Sequence, residues 1–319
     1  MDSSLSDLQP GSHVALGYPF EAGSMQQRRY TVTRRPARDL FEISVRRNGS
    51  GGFADRLHDD LRPGTTLGLL DVGGEITADS ISAFESVGML AGGAGVTLPL
   101  ALLRELDRRR RSSMTGPDVV LLLCVPTITD IAFLHELLSL ELGSSWFRMH
   151  VFITREDIRQ SDRFHHGRPD SHQLDFLGKP QAVVVCGSHS LAADLGDKVS
   201  KRFPTAKLVI EAFTPPLPES AKTPCVQTSD CGQLHIIDLG RQVPLLPHKS
   251  LLETLEASKV AIRSQCRSGI CGACRIRIHS GNIRRETDFC LSQHDKESGV
   301  ALACCTYPLE GDVYASINT

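Results

Sequence analysis

The stretch Ser264–Gly281, "SQCRSGICGACRIRIHSG", sets Cys266, Cys271 and Cys274 in a Cys-x4-Cys-x2-Cys spacing, and "ALACCTYP" at 301–308 adds Cys304 and Cys305. Thiols this close, separated by glycine and other small residues, suit a backbone wrapped tightly round a metal centre. The spacing is that of plant-type [2Fe-2S] sites, where two irons and two sulfides take four cysteines. Gly269, Gly272 and Ala273 would let main-chain amides approach the sulfurs, and hydrogen bonds donated there favour the added electron. Cys271-x2-Cys274 is also a zinc half-site. A zinc ribbon would repeat that pair, whereas here the second pair is adjacent, and adjacent cysteines rarely hold one ion. The cluster is the preferred reading.

Working outward, six of the ten cysteines follow residue 260, so the metal chemistry belongs mainly to a C-terminal domain. Cys225, Cys231 and Cys290 lie outside the spacing and read as ordinary thiols. The 319 residues, 40% hydrophobic, can bury more than one core. A formal net charge of -2 provides no basic field for nucleic acid. The run Arg108–Arg111 follows "LALLREL" and reads as the solvated end of a helix. The N-terminus lacks a basic then apolar leader, and no apolar run is long enough to span a bilayer. The expectation is a cytoplasmic protein with neither a nucleic-acid nor a membrane partner. From residue 225 on, ten Lys+Arg balance ten Asp+Glu, so the cluster lacks a net steering charge and is expected to draw its electron from within the chain.

Composition breaks at "LDVGGEITADSISAFE" and at the Pro-rich "FTPPLPESAKTPCVQTSD" divide the chain. Residues 1–78 alternate short β-like runs ("SHVALGY", "RRYTV", "FEISVRR") with turns and one helical run, "FADRLHDDL", as in a small antiparallel β-barrel. Residues 79–213 alternate apolar runs such as "SVGMLAG" and "VVLLLCV" with amphipathic helices such as "LPLALLRELDRR" and "IAFLHELLSLE", a doubly wound α/β pattern. After a linker at 214–229, residues 230–319 form a compact α+β unit holding the cysteines.

"CRSGICGAC" followed by "LACCTYP" resembles the ferredoxin pattern, whose fourth ligand lies in a Leu-x-Cys context; Leu302-Ala303-Cys304 fits, with Cys305 as neighbour. Over nearly its whole length the chain resembles the phthalate dioxygenase reductase family: a flavin barrel, an NAD domain and a C-terminal β-grasp ferredoxin. The family's Arg-x-Tyr-Ser/Thr flavin run is matched by Arg28, Tyr30 and Thr31. The resemblance implies that the Arg28 guanidinium pairs with a phosphate, Tyr30 packs along the isoalloxazine, and the Thr31 hydroxyl lies near the reactive N5. "NGSGGFADRLHDDL" resembles the family's Gly-Gly-Ser run, so amides of Gly51, Gly52 and Phe53 at a helix start would cradle the phosphate, Phe53 replacing serine. That run accompanies FMN, which is expected in preference to FAD.

"MLAGGAGVTLPL" resembles the family's Gly-Gly-x-Gly-Ile/Val-Thr-Pro turn, with Gly92, Gly93, Gly95 and Thr97 matching and Leu98 inserted before Pro99. Cys186 and Gly187 match the Cys-Gly-Pro run beside the nicotinamide, with Ser188 for proline, and Phe213 matches a terminal aromatic beside the flavin. Thr31 and Cys186 are thereby the candidates at the reacting atoms. No Arg or Lys after "LLLCVPTITD" is placed for a 2'-phosphate, so NADH is expected over NADPH. Family members carry one or two further strands before the region of "GSHVALGYPF", so the barrel reads as N-terminally shortened. Two expectations result. One is an NADH-dependent reductase passing electrons through FMN and the cluster, on Cys266, Cys271, Cys274 and Cys304, to a Rieske-type non-haem iron oxygenase that hydroxylates or demethylates a small organic substrate. The other is an electron relay whose flavin domain is degenerate.

Overall fold

The computed structural model describes residues 8–19, 25–47, 49, 52–159, 161–212, 232–264, 269, 272–286 and 291–317. Phe213, the linker 214–229, Gly51, Cys266 and Cys271 lie outside the described residues. The chain divides into two compact units, residues 1–187 with 194–209, and residues 188–193 with 210–319.

The first unit opens with four antiparallel strands, β1 (His13–Pro19), β2 (Met25–Ala37), β3 (Leu40–Ile43) and β4 (Gly68–Gly73), in the order β3-β2-β1-β4. Strand alternation turns Val14, Leu16 and Val32 onto Leu8 in a small core, and bulges at Ala15/Leu16 and twice along β2 bend the wall. Among the described residues β3 and β4 are the sheet's two edges. Helix α1 (Phe53–Asp60) buries Phe53 and Leu57, and α2 (Ala78–Ile81) is capped by the Thr77 hydroxyl.

A six-stranded sheet follows: β5 (Ser86–Gly92), β6 (Asp118–Val125), β7 (Phe147–Ile153), β8 (Phe164–His166), β9 (Ala182–Gly187) and β10 (Lys207–Ala212), in the order β10-β9-β5-β6-β7-β8. The β5/β6, β5/β9, β6/β7 and β7/β8 pairs are all parallel. Helices α3 (Thr97–Arg111), α4 (Leu134–Gly143) and α5 (His189–Arg202) supply the crossovers. Covered strands need no polar face, and Met89, Leu121 and Phe147 of neighbouring strands are fully buried. Each such side chain contributes about 1.5–3 kcal/mol. The order reverses between β5 and β9, which puts a ligand crevice at their carboxyl ends. Each arginine of the Arg108–Arg111 run has an acid partner, namely Glu105, Glu105 with Asp79, Asp118, and Asp107.

The second unit holds β11 (Gln233–Ile236), β12 (Arg241–Pro244), β13 (Arg275–Ser280), β15 (Val300–Leu302) and β17 (Val313–Ser316) in one sheet, order β12-β11-β17-β13-β15. The β11/β17 pair is parallel and the others antiparallel, the mixed sheet of a β-grasp ferredoxin. Strands β14 (Ile283–Arg285) and β16 (Thr306–Pro308) form a separate ribbon. Helix α6 (Leu251–Ala257) starts at a capping box, Ser250 with Glu253, and buries Leu251, Leu252 and Leu255; α7 (Gln293–Glu297) is short.

Three local expectations shift. Strand β3 stops at Ile43 instead of running on to Arg47, and α4 starts at Leu134 because Phe133 takes a left-handed φ of 59° that ends any helix begun at Ile131. The break expected from "LDVGGEITADSISAFE" begins inside β4, whose inward contact is a half-buried Val72.

Candidate functional site

The site begins on β2, where positions two apart share a face. Arg28 and Tyr30 come together with Phe53: the Tyr30 and Phe53 rings stack at 6.3 Å, and the Arg28 guanidinium lies 5.9 Å from the Phe53 ring. Arg28 is exposed, donates to the Gln27 carbonyl at 2.8 Å and stands beside the start of α1. Burial pushes the Tyr30 hydroxyl up to about 12, against the lowering pull of Arg28, so the phenol stays a neutral donor.

The expected phosphate cradle needs correcting in part. The Asp55 carboxylate, buried in the first turn of α1, accepts from Gly52 N at 3.2 Å and Gly49 N at 2.8 Å. An internal anion therefore takes the Gly52 amide, as a carboxylate at the third helical position commonly does. The sequence carried the signal in "GGFAD", an acid three residues after the cap.

Opposite β2, the glycine turn closes β5. Gly93 sits at φ +55°. At Gly95 a Cβ would fall 2.4 Å from the Cys186 carbonyl oxygen and 2.8 Å from Gly187 Cα, so the turn lies directly on the end of β9. Three predicted positions, Gly95, Cys186 and Gly187, thereby meet in space from chain positions 90 residues apart. Helix α3 begins at Thr97, so Leu98 packs fully into the core and Pro99 falls in the first turn, where a missing N–H costs nothing. No side chain caps this helix, which runs on from a 3-10 turn at Gly93–Val96, and the Thr97 amide donates to the Ala94 carbonyl. The Thr97 hydroxyl stands 3.0 Å from the Ala94 carbonyl and 3.1 Å from the Thr31 hydroxyl. Having one hydrogen, Thr97 donates it to one of two acceptors within reach, the Ala94 carbonyl or Thr31 Oγ1. Thr31 is buried, and so is the Cys186 thiol.

Two further residues escaped the sequence reading. Arg46, just after β3, forms an ion pair at 2.5 Å with Asp130 in the loop after β6 and is the side chain nearest a Cβ on Gly93, at 4.0 Å. The pair spans 84 positions, and nothing local signals it. Glu211 on β10 is buried with Oε1 unpartnered among the described residues, and burial pushes its carboxyl up to about 8.

In the second unit the strand register brings two of the candidate ligands together. Arg275 of β13 pairs with Leu302 of β15, and Ala303 N donates to the Cys274 carbonyl at 2.9 Å. That closure brings Cys274 Sγ to 3.3 Å from Cys304 Sγ, both buried. Two thiolates on one tetrahedral metal at about 2.3 Å lie somewhat under 4 Å apart, so this pair fits ligation of a single ion. Cys305 Sγ is 3.6 Å from Cys304 and equally buried. Gly269 and Gly272 hold φ of +75° and +70°, the left-handed turns that bend the loop. Among the described residues there is no set of three metal-ligating side chains. Among the described residues, no helix is long and apolar enough to cross a membrane.

Residues 234–309 match the 2Fe-2S iron-sulfur cluster binding domain family. The chain is 23% identical to the glycine betaine monooxygenase reductase subunit of Pseudomonas aeruginosa, covering 96% of this chain and 86% of that protein. It is 26% identical to the NADH oxidoreductase HCR of Escherichia coli, covering 93% and 88%. Among solved structures, phthalate dioxygenase reductase superposes with a TM-score of 0.66 at 21% identity, over 97% of this chain and 88% of that one. The architecture is therefore that of the solved structure, an antiparallel barrel-type sheet, a parallel-sheet α/β domain and a 2Fe-2S cluster binding domain.

Proposed function

We propose that this chain, a member of the phthalate dioxygenase reductase family, is an oxidoreductase that takes two electrons from NADH and delivers them singly to an oxygenase partner. One observation supports this above the rest: Thr31 of the barrel and Thr97 of the glycine turn stand 3.1 Å apart while Gly95 of that turn rests on Cys186. Residues suited to a flavin edge and residues suited to a nicotinamide thus converge within one unit. When bound, a flavin accepts hydride from reduced nicotinamide and gives up electrons one at a time, and a [2Fe-2S] cluster carries one.

The chain's own contribution is positioning. Gly93, whose open side meets the Arg46 guanidinium at 4.0 Å, gives the dinucleotide access to the turn, and Gly95 seats that turn on the end of β9. Thr31, held by Thr97, offers its hydroxyl to the flavin edge, and the buried Cys186 thiol fills the space against the nicotinamide. Tyr30 with Phe53 forms the apolar platform, and Arg28 supplies a cation for phosphate. Cys266, Cys271, Cys274 and Cys304 are assigned as cluster ligands.

FMN is preferred to FAD because the glycine run and α1 follow the FMN pattern. NADH is preferred because the run after β6, "PTITD", offers no Arg or Lys to a 2'-phosphate. The acceptor is assigned as a Rieske-type non-haem iron oxygenase from the family resemblance. A second reading draws on Asp55: with the Gly52 amide taken internally, the barrel would hold flavin weakly and the chain would be a cluster relay.

An anaerobic visible spectrum before and after NADH, with released flavin identified by chromatography, decides between them. Flavin and cluster bands that both bleach support the reductase. Cluster bands without flavin, unmoved by NADH, sink it in favour of the relay.

A further inference from the structure

Charge is unevenly distributed around the metal centre. Between Lys259 and Arg285 the chain carries seven Lys+Arg and no Asp or Glu, although the region from 225 on balances ten against ten. One of the seven, Arg267, lies outside the described residues. Strand order and register place the strand-borne ones beside Cys274 and Cys304. Arg275 directly follows Cys274, Arg277 is two further along β13, and Arg285 of β14 pairs with Thr306, two residues beyond Cys304. Lys259 and Arg263 follow α6, whose buried leucines belong to the same core as Cys304.

Partial neutralisation does not erase the sign. Arg275 pairs with Asp295 at 3.8 Å, and Arg284 pairs with Glu286 at 3.0 Å while lying over the Tyr307 ring. Lys259, Arg263, Arg277 and Arg285 are exposed and form no ion pair among the described residues. The thiols of Cys274 and Cys304 are buried, 2% and 4% exposed, so an acceptor collects the electron by docking over the nearby surface.

We infer that the basic residues flanking the ligand loop form the docking surface for an electron acceptor whose own contact face is acidic. The inference rests on the cluster reading above and adds the chemistry of the partner. Like charges suppress wrong partners and opposite charges raise the encounter rate, by 10- to 1,000-fold in favourable cases. The step is balanced: one electron leaves the reduced cluster and one ferric acceptor becomes ferrous.

The test uses the full chain with its cluster reduced by dithionite and the excess removed, mixed in a stopped-flow instrument with cytochrome c or succinylated cytochrome c. These share a haem but carry opposite surface charge. The expected result is that the succinylated, acidic form is reduced about tenfold faster at low salt, with a rate that falls as ionic strength rises. Arg263→Glu with Arg277→Glu should remove that preference while leaving the cluster's visible spectrum unchanged. Native cytochrome c reduced as fast as the acidic form, or a rate indifferent to salt, overturns the inference, and this wild-type comparison needs no variant. Because dithionite supplies the electron, a chain that cannot oxidise NADH but shows the salt dependence would lose the reductase reading and keep this one.

Discussion

Replacing Gly95 by alanine tests the nicotinamide site most directly. The added Cβ would sit 2.4 Å from the Cys186 carbonyl oxygen, 2.6 Å from its carbon and 2.8 Å from Gly187 Cα, all backbone atoms of β9. Carbon–oxygen contacts below about 3 Å are repulsive, so the turn must retreat by roughly 0.6–1 Å. Thr97, two residues on, would carry the retreat to its contact with Thr31. A 1 Å misplacement in a hydride-transfer geometry costs about 100-fold, equivalent to about 2.7 kcal/mol. Stopped-flow absorbance should show flavin reduction by NADH slowed by about that factor, with flavin and cluster content unchanged. A rate within twofold of wild type, in a variant that keeps both cofactors, would refute the claim that the turn's seat on β9 shapes the site.

Three other substitutions probe separate parts of the chain. Asp55→Ala removes the acceptor for two main-chain amides, and hydrogen bonds to a charged group are worth about 1.5–3 kcal/mol each, so thermal unfolding of the barrel unit should move several degrees lower; an unchanged midpoint would argue against the internal cap. Glu211→Gln tests a carboxyl whose folded-state value is raised to about 8: below the unfolded value near 4.5 the acid costs nothing, and as pH climbs from there to 8 the wild type alone loses stability, by up to about 5 kcal/mol, so the variant's advantage in urea unfolding should grow over that window and level off above it. A constant difference between the two proteins across pH would rule out the buried acid as its source. Cys304→Ser should deplete or alter the cluster's electron paramagnetic resonance signal while Cys305→Ser preserves it, and the reverse pattern would move the fourth ligand to Cys305.

The parts legible in the sequence are those where chemistry or burial constrains several residues at once. The cysteine spacing announced its metal because four thiols at set intervals have few other uses. Strands β5, β6, β7 and β9 stood out because sheets covered on both faces demand unbroken apolar runs. Strands β8, β14, β15 and β16, three residues each, are too short to show a period, and β12, at four, is hardly longer. Strand β4 was hidden by exposed Leu69 and Leu70, which break the alternation of a half-buried strand. At the site, glycines and Thr97 were recognisable by motif, whereas the Arg46–Asp130 pair depends on folding two distant loops together. Total charge misled: equal numbers of acids and bases from 225 on concealed a basic stretch beside the ligands.

With Cys274 and Cys304 as ligands, the register that joins β13 to β15 would also make metal supply a determinant of the protein's lifetime. A metal shared by Cys274 and Cys304 is a cross-link over 30 residues, and ligation energy of this kind is available only to the folded state. Without iron, β13 and β15 keep their short ladder and a core that includes Leu255, Ala301, Leu302 and Ala303. Iron-starved cells should therefore clear the chain faster than iron-replete ones, by cutting within the C-terminal unit first. Limited proteolysis of protein with and without its cluster would show this as a change in cleavage rate confined to residues 210–319, and equal rates would leave turnover independent of iron.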